Sequence, residues 1–195
     1  MFKILLLIVA LLSANCAVNA RTISLHVGVA DELPGYRSSH FDQKTSIAFR
    51  LQTYSSQDSF IQEYFSFTHY WTPFVDKEVQ VNNSTLHIQA GDSFTNVGTI
   101  GCRLQPTIHE RMSFGIMAGI STYLMINQEC KSSNPWYSHD RDYVVFPALE
   151  LGAEIGFRLS AGHILAFGYT WHGLGDFADG LYSRELFAIG VHWMI

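Results

Sequence analysis

The sequence predicts an all-β protein: an eight-stranded antiparallel transmembrane β-barrel of the outer membrane, with long outer loops and short periplasmic turns. Three observations carry this prediction. Many segments alternate with period two between large apolar and small or polar residues, the first residues have the pattern of an export signal, and the connections are alternately long and short. The composition agrees, because 48% of the residues are hydrophobic and only 15% are charged.

The last predicted strand, residues 181–195, shows the alternation most directly. A β-strand turns successive side chains to opposite faces. A large apolar face opposite a small or polar one therefore fits lipid on one side and a filled lumen on the other. The two faces are Phe187, Ile189, Val191, Trp193 and Ile195 against Leu186, Ala188, Gly190, His192 and Met194.

The N-terminal segment predicts export. Lys3 supplies the positive start, an apolar run follows over residues 4–12, and the end at residues 18–20 suits signal-peptidase cleavage. We therefore expect residues 1–20 to be a signal peptide and residues 21–195 to form one barrel domain.

The signal segment and the mode of membrane attachment each admit an alternative. Cys16 raises a lipoprotein interpretation, but Asn15 is a poor residue directly before a lipidated cysteine. After the signal segment, no stretch reaches the roughly 20 apolar residues that a spanning helix needs. If the chain crosses a membrane, it is expected to do so as a barrel.

Alternation predicts eight strands, and their connections are long, short, long, short, long, short and long. With both termini in the periplasm, every long connection lies outside and every short one inside. An exported soluble barrel or sandwich has no reason to segregate them so regularly. Residues 86–88 are a possible extension within the longest irregular stretch, 72–94, and Pro147 is expected near an outer strand end or a bulge. The predicted strands are 22–30, 45–54, 61–71, 96–104, 113–126, 143–159, 163–172 and 181–195.

Several charged residues have inward parity on these strands. A barrel of eight strands has no open channel, so such groups must pair with one another or with trapped water. We predict a structural salt-bridge network rather than an ion or substrate path. The residues concerned are Arg50, Glu150, Glu154, Arg158, His26 and His192.

The sequence predicts no metal, cofactor or nucleic-acid site. The net charge of −5 offers no basic patch, and no Gly-x-Ser-x-Gly elbow occurs. Cys102 falls on a predicted lipid face and Cys130 in an outer loop, which leaves a disulfide between them open. The other histidines are scattered without zinc-site spacing, at His69, His87, His109, His139 and His163.

The segment 168–175, which contains a histidine among glycines, stands out together with the glycine at 180 and the last strand. With the glycine-rich stretches 115–120 and 152–157, this layout resembles the outer-membrane lipid A deacylases of the PagL type and their acyloxyacyl-hydrolase-like relatives. The resemblance covers roughly the C-terminal half of the chain.

The resemblance implies a lipid A 3-O-deacylase, a carboxylic ester hydrolase whose serine, histidine and acid lie on the outer wall of the barrel. His172 matches the histidine of the family's His-x-Ser-Asn motif. Leu174 and Gly175 stand in place of the serine and asparagine, and Tyr182 stands in place of the acid. Because a leucine cannot act as a nucleophile, the family's mechanism does not carry over unchanged.

Ser183 and Glu185 offer a substitute, since they share the outward parity of Phe187 on the strand that pairs with the one ending at His172. The candidate catalytic residues are therefore His172, Ser183 and Glu185. Because His172 follows the outward Trp171, strand parity turns its ring inward unless the strand bulges or ends there.

Two functions follow as hypotheses. The first is an outer-membrane barrel that acts on or contacts the acyl chains of lipopolysaccharide. The alternative is a non-enzymatic small barrel with an adhesion, receptor or structural role, carried by outer loops such as residues 133–136. Expected partners are outer-membrane lipid, lipopolysaccharide and, during biogenesis, the barrel-assembly machinery, in a Gram-negative-type envelope.

Overall fold

The structure, a computed structural model, describes ten stretches of the chain: 22–33, 45–55, 60–73, 77–81, 84–90, 93–109, 111–127, 130–132, 142–173 and 183–194. The predicted signal peptide, Leu174, Gly175, Tyr182 and the loop at 133–136 lie outside the described residues. Within those stretches, no helix has the length and apolar character needed to span a membrane.

The described chain forms twelve β-strands. All except the short β4, β5, β7 and β9 build the barrel. In chain order the strands are β1 (Thr22–Leu33), β2 (Thr45–Tyr54), β3 (Ile61–Thr72), β4 (Lys77–Val81), β5 (Ser84–Ala90), β6 (Ser93–Leu104), β7 (Thr107–His109), β8 (Met112–Asn127), β9 (Cys130–Ser132), β10 (Asp142–Ser160), β11 (His163–Gly173) and β12 (Ser183–Met194).

The eight long strands close into a ring in which every neighbouring pair is antiparallel. The first and last strands pair over their whole length, from Thr22↔Met194 to Leu33↔Ser183. A closed ring leaves no unpaired strand edge, which is the condition for placing a sheet in lipid. The predicted eight-stranded antiparallel barrel is confirmed.

The outer wall is apolar because alternate residues of every long strand turn away from the lumen. Leu149, for example, is 59% exposed, whereas the next residue, Glu150, is fully buried. A wall of this kind needs lipid rather than water around it. The exposed apolar side chains include Leu25, Val27, Val29, Ile47, Phe49, Leu51, Phe67, Ile116, Ile120, Leu151, Ile155, Phe167, Phe187 and Ile189.

The observed strand bounds lie within three residues of the predicted ones at both ends. Pro147 lies in β10 opposite Thr122 of β8, and among the described residues the pairing of β10 with β11 begins at Leu149↔Gly173. The proline, which has no backbone N–H, therefore lies near the outer end of β10. This confirms its predicted position.

A second, three-stranded sheet lies at the end of the barrel that has the long connections. It consists of β4, β5 and β9, and we call it the outer sheet. β4 and β5 form a hairpin between β3 and β6, and Ala90 of β5 pairs with Cys130 of β9, which follows β8. Two different outer connections are thus joined by backbone hydrogen bonds. The possible extension predicted at residues 86–88 is the middle of β5.

The lumen is filled by side chains. Tyr54, Tyr64, Tyr70 and Leu186 are all at most 1% exposed, and buried serines, threonines, arginines, histidines and glutamates surround them. A filled interior is expected for a barrel of eight strands, whose bore is only wide enough for side chains.

Candidate functional site

The charged centre of the lumen is built on β10. Glu150 and Glu154 are four residues apart, so the period of a strand turns both to the same face. Their carboxylates are buried, and each pairs with a buried arginine from another strand. We call the two groups the Glu150 cluster and the Glu154 cluster; the first lies nearer the outer end of β10.

In the Glu150 cluster both carboxylate oxygens accept hydrogen bonds. Oε1 accepts from Arg50 at 2.5 Å and from the Tyr64 hydroxyl at 2.9 Å. Oε2 accepts from the Thr99 hydroxyl at 2.8 Å and lies 2.7 Å from His172 Nε2. A buried charge is tolerated when it is paired and hydrogen-bonded in this way.

His172 completes this cluster with both ring nitrogens. Its Nε2 faces Glu150, and its Nδ1 lies 3.1 Å from the Tyr70 hydroxyl. When Nε2–H donates to the carboxylate, the neutral ring accepts at Nδ1 from tyrosine. The His172 side chain has no exposed surface, so the ring is a fully bonded part of the lumen.

The Glu154 cluster is bonded on one side only. Arg103 donates to Oε1 at 2.6 Å and to the side-chain oxygen of Gln62 at 3.1 Å. On the other side, Oε2 lies 3.2 Å from His192 Nε2 and 3.9 Å from His26 Nε2. Among the described residues, neither Nε2 atom has a hydrogen-bond partner of good geometry. Three potential ligand atoms thus converge in a buried site, all within 4.8 Å of one another.

The structure does not bring the three candidate catalytic residues together. His172 is turned into the lumen, as its parity predicts, where it pairs with Arg184 across the β11–β12 ladder. Ser183 and Glu185 flank the buried Arg184 on β12, are half-buried, and belong to the opposite face of the sheet. On that face Glu185 pairs with Trp171, and Tyr169 pairs with Phe187, across the β11–β12 ladder.

Two further sequence-based assignments are resolved by position. Arg158 has inward parity but is exposed, because it lies near the end of β10, where the lumen ends. It therefore takes no part in the predicted network, whereas Arg50, Glu150 and Glu154 do. Cys102 is free and exposed on the outer wall, so the structure shows no disulfide at this position.

Sequence reasoning missed most partners in the network. Arg103, Tyr64 and Thr99 have inward parity, but their contacts run across the bore between strands that are distant in sequence. The convergence of His26, Glu154 and His192 was missed for the same reason, since they belong to β1, β10 and β12. The one available signal was their common inward parity.

Comparison with solved structures finds small outer-membrane barrels at low sequence identity. Neisserial surface protein A (NspA) matches with a TM-score of 0.56 at 10% identity, over 89% of this chain and 96% of that one. Ail, the attachment invasion locus protein of Yersinia pestis, matches with a TM-score of 0.53 at 15% identity, over 89% and 99%. The outer membrane protein OprG of Pseudomonas aeruginosa matches with a TM-score of 0.56 at 8% identity, over 91% and 97%.

No family model and no curated protein matches this chain. At the identities given above, the structural likeness establishes the fold alone, and the resemblance to lipid A deacylases gains no support from it. The fold is that of small outer-membrane barrels, and the apolar outer wall requires lipid. The chain therefore has the outer-membrane β-barrel fold that the sequence predicts, with an outer wall suited to lipid.

Proposed function

We propose that the chain is a non-enzymatic outer-membrane barrel whose outer sheet mediates attachment at the cell surface. One observation carries this proposal: the outer sheet joins two separate connections of the barrel into one ordered structure. Binding residues are disproportionately found on loops that a rigid scaffold positions. A loop that is ordered before binding loses less conformational entropy when a partner docks.

The lumen supports the same proposal. The carboxylates of Glu150 and Glu154 are each paired with a buried arginine inside a barrel filled by side chains. Such a barrel offers a rigid frame rather than a conducting path. The proposed activity therefore belongs to the end of the barrel with the long connections.

In the test, bacteria that display the chain on their surface are added to a fixed layer of epithelial cells, and the attached bacteria are counted. Replacing residues 77–90 by a Gly-Ser linker removes β4 and β5, and attachment is expected to fall to the level of cells without the protein. The matched control replaces residues 34–44, a second outer connection, with the same linker and is expected to keep most of the attachment. Unchanged attachment without β4 and β5 would overturn the proposal, provided that heat-modifiable gel mobility shows both variants folded.

A second candidate function is the lipid A deacylase that the sequence resemblance implies. Ser183 and Glu185 support it, because they lie on the outer face near the outer end of β12, at a depth that lipid A reaches. For this function the His172 ring must leave Glu150 and Tyr70 and pass to the outer face.

Mass spectrometry of lipid A after incubation with the refolded barrel separates the two functions. The non-enzymatic proposal expects no loss of an acyl chain. The deacylase alternative requires a loss that disappears in Ser183→Ala and Glu185→Gln as well as in His172→Ala. Loss of an acyl chain with this pattern would replace the first proposal.

A further inference from the structure

The part of the lumen nearer the short turns contains a group of side chains that the attachment function does not use. His26 Nε2, Glu154 Oε2 and His192 Nε2 lie within 4.8 Å of one another, and all three residues are at most 3% exposed. Their rings and carboxylate come from three strands. The two imidazoles meet edge to face, with ring centroids 5.3 Å apart.

Buried polar atoms are nearly always hydrogen-bonded. Both Nε2 atoms are buried within 4 Å of the same carboxylate oxygen, yet they are among the buried side-chain atoms of the described residues that have no hydrogen-bond partner of good geometry. An unpartnered buried nitrogen costs free energy. A Lewis acid that binds the lone pairs of both Nε2 atoms would remove that cost.

The distances fit a metal ion. Zinc binds histidine nitrogen and carboxylate oxygen at about 2.0–2.2 Å, which in a tetrahedral site separates neighbouring ligand atoms by about 3.3 Å. The distances from Glu154 Oε2 are 3.2 Å to His192 Nε2 and 3.9 Å to His26 Nε2. All three atoms lie within 4.8 Å of one another, so the two rings must move inward when an ion binds all three.

The surroundings hold the ligands in place. Arg103 engages Oε1 of Glu154 and leaves Oε2 directed at the histidines, in the manner of an outer-shell partner of a metal ligand. The space for the His26 ring exists because residue 190 is glycine: a Cβ there would overlap the ring and lie 2.6 Å from the Leu25 carbonyl oxygen. The absence of a side chain at residue 190 thus leaves space for the imidazole of His26.

We propose that His26, Glu154 and His192 bind one divalent transition-metal ion of the zinc type, with water as the fourth ligand. Two imidazoles and one carboxylate suit Zn²⁺, Co²⁺ or Ni²⁺ better than Ca²⁺ or Mg²⁺, which prefer oxygen ligands. The ion would link β1, β10 and β12, and so tie the first and last strands of the barrel to β10. This site is independent of the outer sheet and of the attachment proposal.

The experiment uses Co²⁺ as the probe. The full mature chain is refolded into detergent micelles with Co²⁺ present, because the filled lumen restricts entry after folding, and visible absorption and bound metal per chain are measured. We expect one Co²⁺ per chain. His26→Gln and His192→Gln should each weaken binding by more than the roughly 10–100-fold that loss of an outer-shell partner costs.

The matched control is His163→Gln. His163 is exposed on β11 and bonded to Ser160, away from the site, so this variant should bind Co²⁺ as the wild type does. Binding that survives in the His26 and His192 variants, or that is lost in His163→Gln, would identify adventitious surface binding and overturn the proposal, as would the absence of binding.

A second measurement covers the case in which a variant fails to fold. A ligand that binds only the folded state raises its stability with concentration. The unfolding midpoint of the wild-type chain refolded with Zn²⁺ should therefore rise with Zn²⁺ and return to the metal-free value with a chelator present throughout refolding. A midpoint that is independent of Zn²⁺ would count against the site.

Discussion

The Glu150 and Glu154 clusters begin alike and end differently. Both are centred on a buried glutamate of β10 paired with a buried arginine, and both include a histidine within 3.2 Å of the carboxylate. Around Glu150, both carboxylate oxygens and both nitrogens of His172 are hydrogen-bonded. Around Glu154, Arg103 donates to Oε1, and among the described residues the Nε2 atoms of His26 and His192 have no hydrogen-bond partner of good geometry.

The difference separates two uses of buried charge. Around Glu150 the carboxylate and His172 are fully hydrogen-bonded, although Arg50 Nε is buried without a partner among the described residues. A well-satisfied polar network contributes to a unique, rigid interior, whereas a partly satisfied one carries the cost of its unpaired atoms. We therefore assign the Glu150 cluster to the frame of the barrel and the Glu154 cluster to ligand binding. The free energy of unfolding in phospholipid vesicles, measured by urea titration, tests this division.

The largest effect is expected for Glu150→Gln. The substitution leaves Arg50 buried without its carboxylate and weakens the bonds from Tyr64, Thr99 and His172. Removing one member of a buried ion pair costs about 3–5 kcal/mol. The matched control is Glu63→Gln on the exposed face of β3, which should be close to neutral. A loss for Glu150→Gln no larger than that of the control would contradict a structural role of the cluster.

The strands and the inward direction of the buried side chains were predictable from the sequence. Period two identified all eight barrel strands, because one side of the sheet meets lipid and the other a filled lumen. Strand parity also predicted that His172 faces the lumen. Pro147, which has no backbone N–H, lies near the outer end of its strand, as expected. These features depend on neighbours along the strand or on its two faces, which a single sequence records.

Contacts across the bore were not predictable in the same way. Arg50 of β2 pairs with Glu150, and Arg103 of β6 pairs with Glu154. The stagger of the strands in the closed barrel places the two members of each pair at the same height along the barrel axis. Parity gave the inward direction of these side chains but not their height. For the same reason Arg158 was placed in the network although it lies beyond the end of the lumen.

The next effect concerns the space beneath His26. Gly190→Ala adds a Cβ that overlaps the His26 ring and approaches the Leu25 carbonyl oxygen to 2.6 Å. Overpacking of this kind costs about 1–3 kcal/mol. The matched control is Gly98→Ala on β6, where a Cβ meets nothing within 4 Å. If both glycine variants unfold at the same urea concentration, the packing of the Glu154 cluster is looser than described.

A similar or slightly smaller effect is expected for His172→Phe. Phenylalanine keeps a ring of comparable size but loses the bonds to Glu150 and to the Tyr70 hydroxyl. Leaving such buried partners unsatisfied costs about 1–3 kcal/mol. His69→Phe serves as the control, because His69 is half-buried and its Nδ1 lies 2.9 Å from the Asn96 side-chain oxygen. Equal losses in the two variants would show that burial adds nothing to the His172 bonds.

The smallest effect is expected for His192→Gln in the presence of a chelator. Because His192 Nε2 makes no good hydrogen bond, the substitution forfeits mainly its ring contacts with Tyr54 and His26. Contacts of this kind are worth about 0.5–1.5 kcal/mol. The difference between wild type and variant should then widen when the proteins are refolded with Zn²⁺, since only the wild type gains a ligand. A chelator-treated His192→Gln that loses as much as His172→Phe would place both histidines in the frame of the barrel and remove the contrast between the clusters.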